Sequence, residues 1–280
     1  MFQADLLKGK RVLITGGGTG LGKSMGRRML ELGAALVICG RREAVLQETA
    51  AEFDEDFPGR TAWQRCDIRD PDAIEAMLAA VWADGPLDTL VNNAAGNFIA
   101  RTETLSPRAL DAVLGIVLHG SAYMTLACAK RWIAEGRPAS VLSIVTTYAW
   151  TGSAYVVPSA MAKAGVPAMT RSLAVEWGPK GIRLNAIAPG PFPTEGAWER
   201  LVPNEEIEAA WLGRNPLGRV GEHRELADLA VYLISDGAGY VNGEVVTIDG
   251  GEWLKGAGQF SIMERLSEAE WAAMRARKGG

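Results

Sequence analysis

Short runs of β-branched and apolar residues alternate with longer amphipathic patterns along nearly the whole chain. The short runs have the length of buried strands, and the segments between most of them have helical periodicity. Strands that alternate with helices form parallel βαβ units, because the crossover helix returns the chain to the same end of the sheet. The sequence therefore predicts an α/β fold with a doubly wound, seven-stranded parallel sheet. The predicted strands are Arg11–Thr15, Ala35–Cys39, Thr61–Cys66, Leu87–Asn92, Ala139–Val145, Ile182–Ala188 and Glu244–Ile248.

Two segments stand outside this alternation. Residues 189–216 hold five prolines and then a helical pattern rich in Trp and Glu. An excursion after the carboxyl end of a strand lies on the ligand side of such a sheet, so we expect a substrate lid there. Residues 250–280 form a tail, expected to pack at an interface, in which Ser267 and Glu270 predict a capped helix over 267–277. No linker divides the 280 residues, so we expect a single domain over 1–280.

Charge and composition exclude several classes of function. Lys and Arg total 29 against 33 Asp and Glu, a net charge of −4. This balance disfavours a phosphate backbone as the main partner, so we expect no nucleic acid. Three cysteines without metal-ligand spacing and only two histidines predict no metal site. The first residues resemble neither a secretion signal nor a transit peptide, so we expect a cytoplasmic protein.

The longest uncharged stretch covers the 25 residues 138–162. That length raises the question of a membrane helix. Seven Ser and Thr residues interrupt the stretch, together with Gly152 and Pro158. We therefore expect no membrane span there, but a buried strand followed by a polar loop of the site.

A glycine-rich turn follows the first predicted strand. Residues 15–22 read Thr-Gly-Gly-Gly-Thr-Gly-Leu-Gly, and a helical pattern opens after them. Glycines let the backbone turn tightly and approach a pyrophosphate, which the amides and dipole of a helix N-terminus stabilise. The turn could be merely structural, but its place at the first strand-to-helix junction favours a dinucleotide. The expected cofactor-binding residues here are Gly16, Gly18, Thr19, Gly20, Leu21 and Gly22.

The end of the second strand indicates which dinucleotide binds. An acidic residue there accepts the ribose 2′-hydroxyl of NAD, whereas basic residues accommodate the 2′-phosphate of NADP. Arg41 and Arg42 stand at this point, and no carboxylate comes before Glu43. Two guanidinium groups suit a phosphate dianion, so we expect NADPH; the alternative is that both arginines are solvated residues at a helix start. Asp67, after the third strand, is expected near the adenine or as a helix cap.

Three motifs together resemble the short-chain dehydrogenase/reductase family. They are the glycine-rich turn, Asn-Asn-Ala-Ala-Gly at 92–96 and Pro-Gly at 189–190. The resemblance covers essentially the whole chain and implies a Rossmann-type fold. It also implies a catalytic Tyr-x-x-x-Lys pair on a helix, with a serine upstream.

The chain departs from that catalytic pattern. Lys163 is present, but Ser159 stands where the tyrosine is expected, Thr146 replaces the upstream serine and Val117 replaces an asparagine. An aliphatic hydroxyl is a much weaker acid than a phenol, so proton delivery to a carbonyl oxygen should be impaired.

One branch of the family has a matching pattern. The motifs at 92–98, 146–148, 151–153, 156–165 and 189–191 resemble the NADPH-dependent 2,4-dienoyl-CoA reductases, in which the tyrosine is displaced to the position of Tyr148. The resemblance implies reduction of 2,4-dienoyl-CoA thioesters to 3-enoyl-CoA in the β-oxidation of unsaturated fatty acids.

The same resemblance implies roles for individual residues. Tyr148 and Asn97 would hold the dienolate oxygen, Lys163 the nicotinamide ribose, and Ser159 a water that protonates the α-carbon. Further cofactor contacts are implied for Asn93, Pro189, Gly190, Pro191 and Phe192. Substrate contacts are implied for Arg41, Arg69, Asn97, Phe98, Ser106, Tyr148 and Arg200. A homo-oligomer, tetramer or dimer, is also implied.

Other interpretations stay open at this point. The chain could act on a ketone, sugar or 3-oxoacyl substrate through Ser159 and Lys163, or bind NADP without catalysis. Ser159 could be a capping residue of a helix that starts near Pro158. Pro167 lies four residues after Lys163 and cannot donate to its carbonyl, so we expect a kink or bulge there.

Overall fold

The computed structural model describes residues 2–194, 202 and 204–276, and one parallel sheet organises them. All seven predicted strands are present, with bounds that differ from prediction by at most two residues. The strands are β1 Arg11–Thr15, β2 Ala35–Gly40, β3 Thr61–Arg65, β4 Thr89–Asn92, β5 Ala139–Ile144, β6 Ile182–Pro189 and β7 Val245–Ile248. Their order is β3-β2-β1-β4-β5-β6-β7, and every pair is parallel. The doubly wound α/β prediction is confirmed.

Helices cover both faces of this sheet. In chain order they are α1 Gly20–Glu31, α2 Glu43–Asp56, α3 Pro71–Ala83, α4 Pro107–Leu114, α5 Gly120–Ala134, α6 Tyr148–Thr151, α7 Val157–Trp177, α8 Glu205–Leu212, α9 His223–Ile234, α10 Glu252–Ala257 and α11 Glu268–Ala276.

The central strand β1 is buried on both faces, which explains its unbroken apolar run. Val12 and Ile14 pack into the layer that contains α1 and α9, whereas Leu13 points into the layer that contains α3 and α5. Trp132 of α5 is fully buried in the second layer, and its indole N–H donates to the Leu87 carbonyl at 2.7 Å. Two apolar layers therefore fix the sheet between the helices.

The strand order creates a crevice at one edge of the sheet. β1 lies between β2 and β4, so the connections that leave β1 and β4 run to opposite faces. Ligands bind at such a switch point, outside the carboxyl ends of the strands. The glycine-rich turn leaves β1 here, and the candidate catalytic segments leave β4 and β5.

Helix α7 continues through Pro167, so the structure shows no bulge there, and the kink expected as the alternative stays a prediction. The π-helical turn that the described residues contain lies instead at Gly115–His119, on the helix packed against α7, and includes the buried Val117. Leu118 of this turn packs so tightly on α7 that a Cβ at Gly165 would come within 2.6 Å of its side chain.

α4, the π-helical turn and α5 form one helical stretch, Pro107–Ala134, that is long and apolar enough to cross a membrane. Half of its most apolar window is buried inside the protein, as in a core helix of an α/β fold.

Both irregular segments contain the helices that their patterns predict. Within 189–216, α8 begins after Asn204, whose side chain accepts from the Ile207 N–H. In the tail, α11 has the predicted capping box: Ser267 Oγ accepts from the Glu270 N–H, and the Glu270 carboxylate accepts from the Ser267 N–H at 2.7 Å. Residues 1, 195–201, 203 and 277–280 lie outside the described residues.

Candidate active site

A cavity of about 1070 Å³ opens at the carboxyl edge of the sheet. The turns after β1, β2, β4, β5 and β6 meet there, because the carboxyl ends of parallel strands share one edge. Most of the residues predicted from sequence line it. They are Gly16, Gly18, Thr19, Gly20, Leu21, Arg41, Asp67, Asn93, Asn97, Tyr148, Lys163, Pro189, Gly190, Pro191 and Phe192.

The turns after β1 and β4 are braced against each other. Thr15 Oγ1 accepts from the backbone N–H groups of Asn93 and Ala94, both at 3.0 Å. The Asn93 side-chain amide donates to the carbonyls of Thr15 and Gly16, at 3.0 and 3.2 Å. Asn93 thus lines the cavity and holds the glycine-rich turn in place.

The glycine-rich turn fits the pyrophosphate of a dinucleotide. Gly22 is the close-packing position: a Cβ there would lie within 2.5 Å of Asn93 Nδ2 and closer still to the Gly16 carbonyl oxygen. The N-cap of α1, Thr19, makes no side-chain cap bond, and the first turn of the helix holds no acidic residue. The amides and positive dipole of this helix end are therefore left for an anion.

A hydroxyl pair lies beside the buried lysine. Tyr148, the first residue of α6, places its hydroxyl 3.1 Å from Ser159 Oγ in α7. Ser159 is buried, and the N-cap of α7 is Val156, so Ser159 does not cap the helix. Tyr148 lies on the short helix α6 and not on α7, yet its hydroxyl contacts the side chain of Ser159, the α7 residue that stands where the family's tyrosine is expected.

Lys163 lies one helical turn after Ser159 and is 8% exposed. Its ammonium group donates to the Ile144 carbonyl at the end of β5. Burial lowers the pKa of Lys163 from 10.5 to about 8, because desolvation disfavours the charged form. A pKa of about 8 leaves the lysine mostly protonated at neutral pH, so it places a positive charge at the wall of the cavity.

Asn97 lies in the exposed loop after β4 and lines the same cavity. Its side-chain oxygen accepts from the Phe98 N–H at 2.9 Å. This bond orients the Asn97 side chain through its oxygen alone. The side-chain N–H groups, which are predicted to donate to the substrate, take no part in it.

Asp67 and Arg69 form a close pair at the end of β3. The Arg69 guanidinium donates to both carboxylate oxygens, with Nε–Oδ1 at 2.9 Å and Nη2–Oδ2 at 2.5 Å. These bonds hold the pKa of Asp67 below its usual range. Asp67 lines the cavity, whereas Arg69 is outside the described lining residues.

Comparison with known proteins identifies the family. A family model described as enoyl-(acyl carrier protein) reductase matches residues 16–252. The chain belongs to the short-chain dehydrogenase/reductase family.

Relatives in this family cover most of the chain. A probable 2,4-dienoyl-CoA reductase of Bacillus subtilis, named as (2E)-enoyl-CoA-producing, is 47% identical over 88% of this chain and 97% of its own length. A probable 2,4-dienoyl-CoA reductase 3 of Caenorhabditis elegans, named as (3E)-enoyl-CoA-producing, is 43% identical over 88% of this chain and 81% of its own. The crystal structure of a putative 2-deoxy-D-gluconate 3-dehydrogenase from Agrobacterium tumefaciens, with bound NADP, has a TM-score of 0.82 at 33% identity and covers 90% of this chain and 100% of that one. This family uses nicotinamide cofactors.

Several residues predicted from the family resemblance have other partners or positions. Ser106 is the N-cap of α4, where its hydroxyl accepts from the Ala109 N–H at 3.2 Å. Phe98 packs in a small apolar cluster with Val113 of α4. Neither is among the described lining residues of the cavity, and Arg200 lies outside the described residues, so their substrate contacts stay predictions.

The tail contributes to the cavity, which the sequence did not indicate. Glu252 and Trp253 of α10 line it together with Trp211 and Arg214 from the region predicted as a lid. The Trp211 indole N–H donates to the Glu252 carboxylate at 3.1 Å, and the Trp253 ring meets Trp150 edge-on at 5.6 Å. α10 reaches the cavity because β7 pairs with β6 and so delivers the chain to the same edge as the site. Packing of the tail at an interface stays a prediction.

Glu252 and Arg214 are the two charged residues among these, and they face each other. Burial raises the pKa of the Glu252 carboxyl group, and the Arg214 guanidinium, 3.9 Å away, acts in the opposite direction. The only sequence signal for this position was the Asp-Gly-Gly turn at 249–251, which directs the chain away from β7.

Proposed function

We propose that this chain is an NADPH-dependent 2,4-dienoyl-CoA reductase that forms 3-enoyl-CoA in the β-oxidation of unsaturated fatty acids. The observation that carries the proposal is the Tyr148–Ser159 hydroxyl pair beside Lys163, with the tyrosine off the catalytic helix. The names of the relatives from Bacillus subtilis and Caenorhabditis elegans support the substrate class.

The displaced tyrosine suits a reaction in which no oxygen has to be protonated beside the nicotinamide. NADPH, when bound, supplies the hydride. Reduction of a conjugated thioester at its distal alkene carbon sends negative charge to the thioester oxygen, and the proton is then added at the α-carbon. Preorganised hydrogen-bond donors for that oxygen are the largest catalytic contribution that a protein offers such a step.

Four polar residues at or next to the cavity have a place in this scheme; Ser159 reaches it through its bond to Tyr148 and is outside the described lining. The Tyr148 hydroxyl and the Asn97 amide donate to the thioester oxygen. Ser159, which bonds to Tyr148, orders the water that protonates the α-carbon. Lys163, one turn further along α7, holds the ribose hydroxyls of the cofactor, and its charge stabilises the dienolate.

The choice of NADPH rests on Arg41 and Arg42, which line the cavity where β2 ends. A guanidinium pair recognises the 2′-phosphate and gives nothing to the 2′-hydroxyl of NADH. Replacing both arginines with alanine should raise KM for NADPH at least ten-fold and leave KM for NADH within two-fold. Equal changes for the two cofactors would contradict the assignment of the arginines to the 2′-phosphate.

The remaining features of the proposal concern the rest of the substrate and the protein. Arg41, Arg69 and Arg200 supply the positive charge that the phosphates of CoA need, and Phe98 and Ser106 lie along the acyl thioester. The segment 189–216 acts as the substrate lid of a single-domain enzyme over 1–280. The enzyme works in the cytoplasm as a homo-oligomer.

The central experiment follows NADPH oxidation with 2,4-decadienoyl-CoA and with 3-oxodecanoyl-CoA. We expect turnover of the dienoyl substrate alone, and a 3-enoyl rather than a 2-enoyl product by chromatography. Tyr148→Phe should lower kcat at least 100-fold through the lost donor. Tyr232→Phe, at an exposed tyrosine of α9 outside the described lining of the cavity, is the control and should keep full activity.

Four results would contradict the proposal. They are the absence of turnover with any dienoyl-CoA, a 2-enoyl product, turnover of the 3-oxoacyl substrate at a similar rate, and an unchanged kcat in Tyr148→Phe.

A further inference from the structure

Two apolar side chains are exposed at the cavity next to the proposed oxygen-binding residues. Ile99 is 52% exposed and Tyr155 is 60% exposed, and both line the cavity. The Ala100 N–H donates to the Tyr155 carbonyl at 2.9 Å, so the loops that carry the two side chains are joined. We call Ile99 and Tyr155 the rim pair.

The backbone of Tyr155 is strained. Its φ is +66°, and it is the one non-glycine residue with positive φ in the part of the chain that the structure describes. A tyrosine in this conformation persists only where its surroundings fix it, and such outliers cluster at ligand sites. The bond from Ala100 supplies that constraint. The strained backbone therefore holds an aromatic side chain at the cavity that would otherwise be free to turn away.

The position of the rim pair along the chain indicates which part of a thioester it faces. Ile99 is two residues from Asn97, and two residues span at most about 7 Å. Asn97 is proposed to hold the thioester oxygen, and the sulfur is bonded to the same carbon as that oxygen. The reacting alkene carbon is four bonds from that carbon along the acyl chain and must face the nicotinamide. In this pose Ile99 would lie near the sulfur, and Tyr155 would lie with it because the Ala100 bond joins the two loops.

We propose that Ile99 and Tyr155 bind the pantetheine arm of the thioester. This inference rests on the proposed function, because it takes an acyl-CoA as substrate. Pantetheine has apolar methylene and gem-dimethyl groups between two amides. An aliphatic side chain beside a tyrosine suits it, since the ring packs on the apolar groups and the hydroxyl bonds an amide. Binding would also cover apolar surface that is now exposed to water.

The test uses one dienoyl group on three carriers: N-acetylcysteamine, pantetheine and CoA. Wild-type kcat/KM should rise from the first carrier to the second. Tyr155→Gly should lower kcat/KM about ten-fold on pantetheine and CoA, mainly through KM, which corresponds to burial of about 60 Å² of apolar surface. On N-acetylcysteamine the change should stay within two-fold. Tyr155→Phe should keep most of the wild-type preference, because it retains the ring.

If Tyr155 had only a structural role, Tyr155→Gly would lower the unfolding temperature. We expect the same unfolding temperature as wild type or a higher one, because glycine adopts a φ of +66° without strain. Tyr240→Gly removes a fully exposed tyrosine outside the described cavity lining and should change no kinetic constant. Equal losses on all three carriers, a loss that grows with acyl-chain length, or no loss at all would each overturn the inference.

A binding measurement separates this inference from the proposed function. Calorimetry with butyryl-pantetheine and butyryl-N-acetylcysteamine, in the presence of NADP⁺, needs no turnover. If no dienoyl thioester is reduced but Tyr155→Gly weakens butyryl-pantetheine about ten-fold, the reductase proposal fails and the rim pair stands. If turnover occurs but binding of butyryl-pantetheine is unchanged in Tyr155→Gly, the rim pair fails alone.

Discussion

Burial of the charged Lys163 side chain lowers the free energy of unfolding, and the substitution Lys163→Met should show by how much. Burial lowers the lysine pKa from 10.5 to about 8. Each pKa unit is worth about 1.4 kcal/mol, so the charged lysine costs about 3 kcal/mol of folding free energy at pH 7. Methionine has a similar shape and no charge, so the variant does not carry this cost.

The sign of the pH dependence of stability follows from the pKa of Lys163 in the folded protein, about 8, and in the unfolded chain, about 10.5. Above pH 8 the folded protein releases the Lys163 proton, whereas the unfolded chain keeps it until about pH 10.5. The unfolded state then binds more protons, so wild-type stability rises with pH in this window. The cost falls from about 3 kcal/mol at pH 7 to about 2 at pH 9 and about 1 at pH 10.

The assay is urea unfolding of wild type and Lys163→Met without nucleotide, at pH 7, 9 and 10. The methionine also loses the hydrogen bond to the Ile144 carbonyl, which costs about 1.5–3 kcal/mol and sets a constant offset. The difference in unfolding free energy should therefore move toward wild type by about 1.4 kcal/mol between pH 7 and pH 9. Lys130→Met, at an exposed lysine, should show no such movement, since that side chain stays in water in both states. A Lys163→Met difference that is flat across this range would refute the desolvation argument.

Three other substitutions or treatments test the fold and the turn. Gly22→Ala should lower NADP⁺ affinity at least 100-fold by calorimetry, because its Cβ would meet the backbone of the glycine-rich turn and the amide of Asn93; wild-type affinity would contradict the packing. Trp132→Phe should cost about 2–4 kcal/mol in urea unfolding, since it leaves a cavity and strands the Leu87 carbonyl; a loss below 1 kcal/mol would mean that the core repacks. All three cysteines are buried and burial raises their pKa values, to about 11 for Cys66, so a thiol reagent at pH 8 should label none in the native protein and three in urea; rapid native labelling would show an open layer.

The strands were predictable because each one is a local pattern. β1 is a run of apolar residues between polar ones, and burial of both its faces leaves no periodicity to misread. The glycine-rich turn was predictable for a similar reason, since backbone freedom at Gly16 and close packing at Gly22 are properties that only glycine supplies.

Helix irregularity was not predictable in the same way. Pro167 is a local signal for a bulge, yet α7 is continuous through it and the π-helical turn lies at Gly115–His119. Leu118 of the π-helical turn packs against Gly165 of α7, and such a contact between two helices is not encoded in the pattern of either one.

The sequence by itself determined the seven strands and their succession along the chain, the glycine-rich turn after β1 and the identity of the groups that can carry charge. It could state that a tyrosine was missing from the helix and that Tyr148 was available, since both are facts of spacing. Only the tertiary structure decided that the Tyr148 hydroxyl reaches Ser159, that Arg69 binds Asp67, and that α10 of the tail lines the cavity. These contacts join residues from different elements, and the distances between elements are set by the packing of the whole sheet.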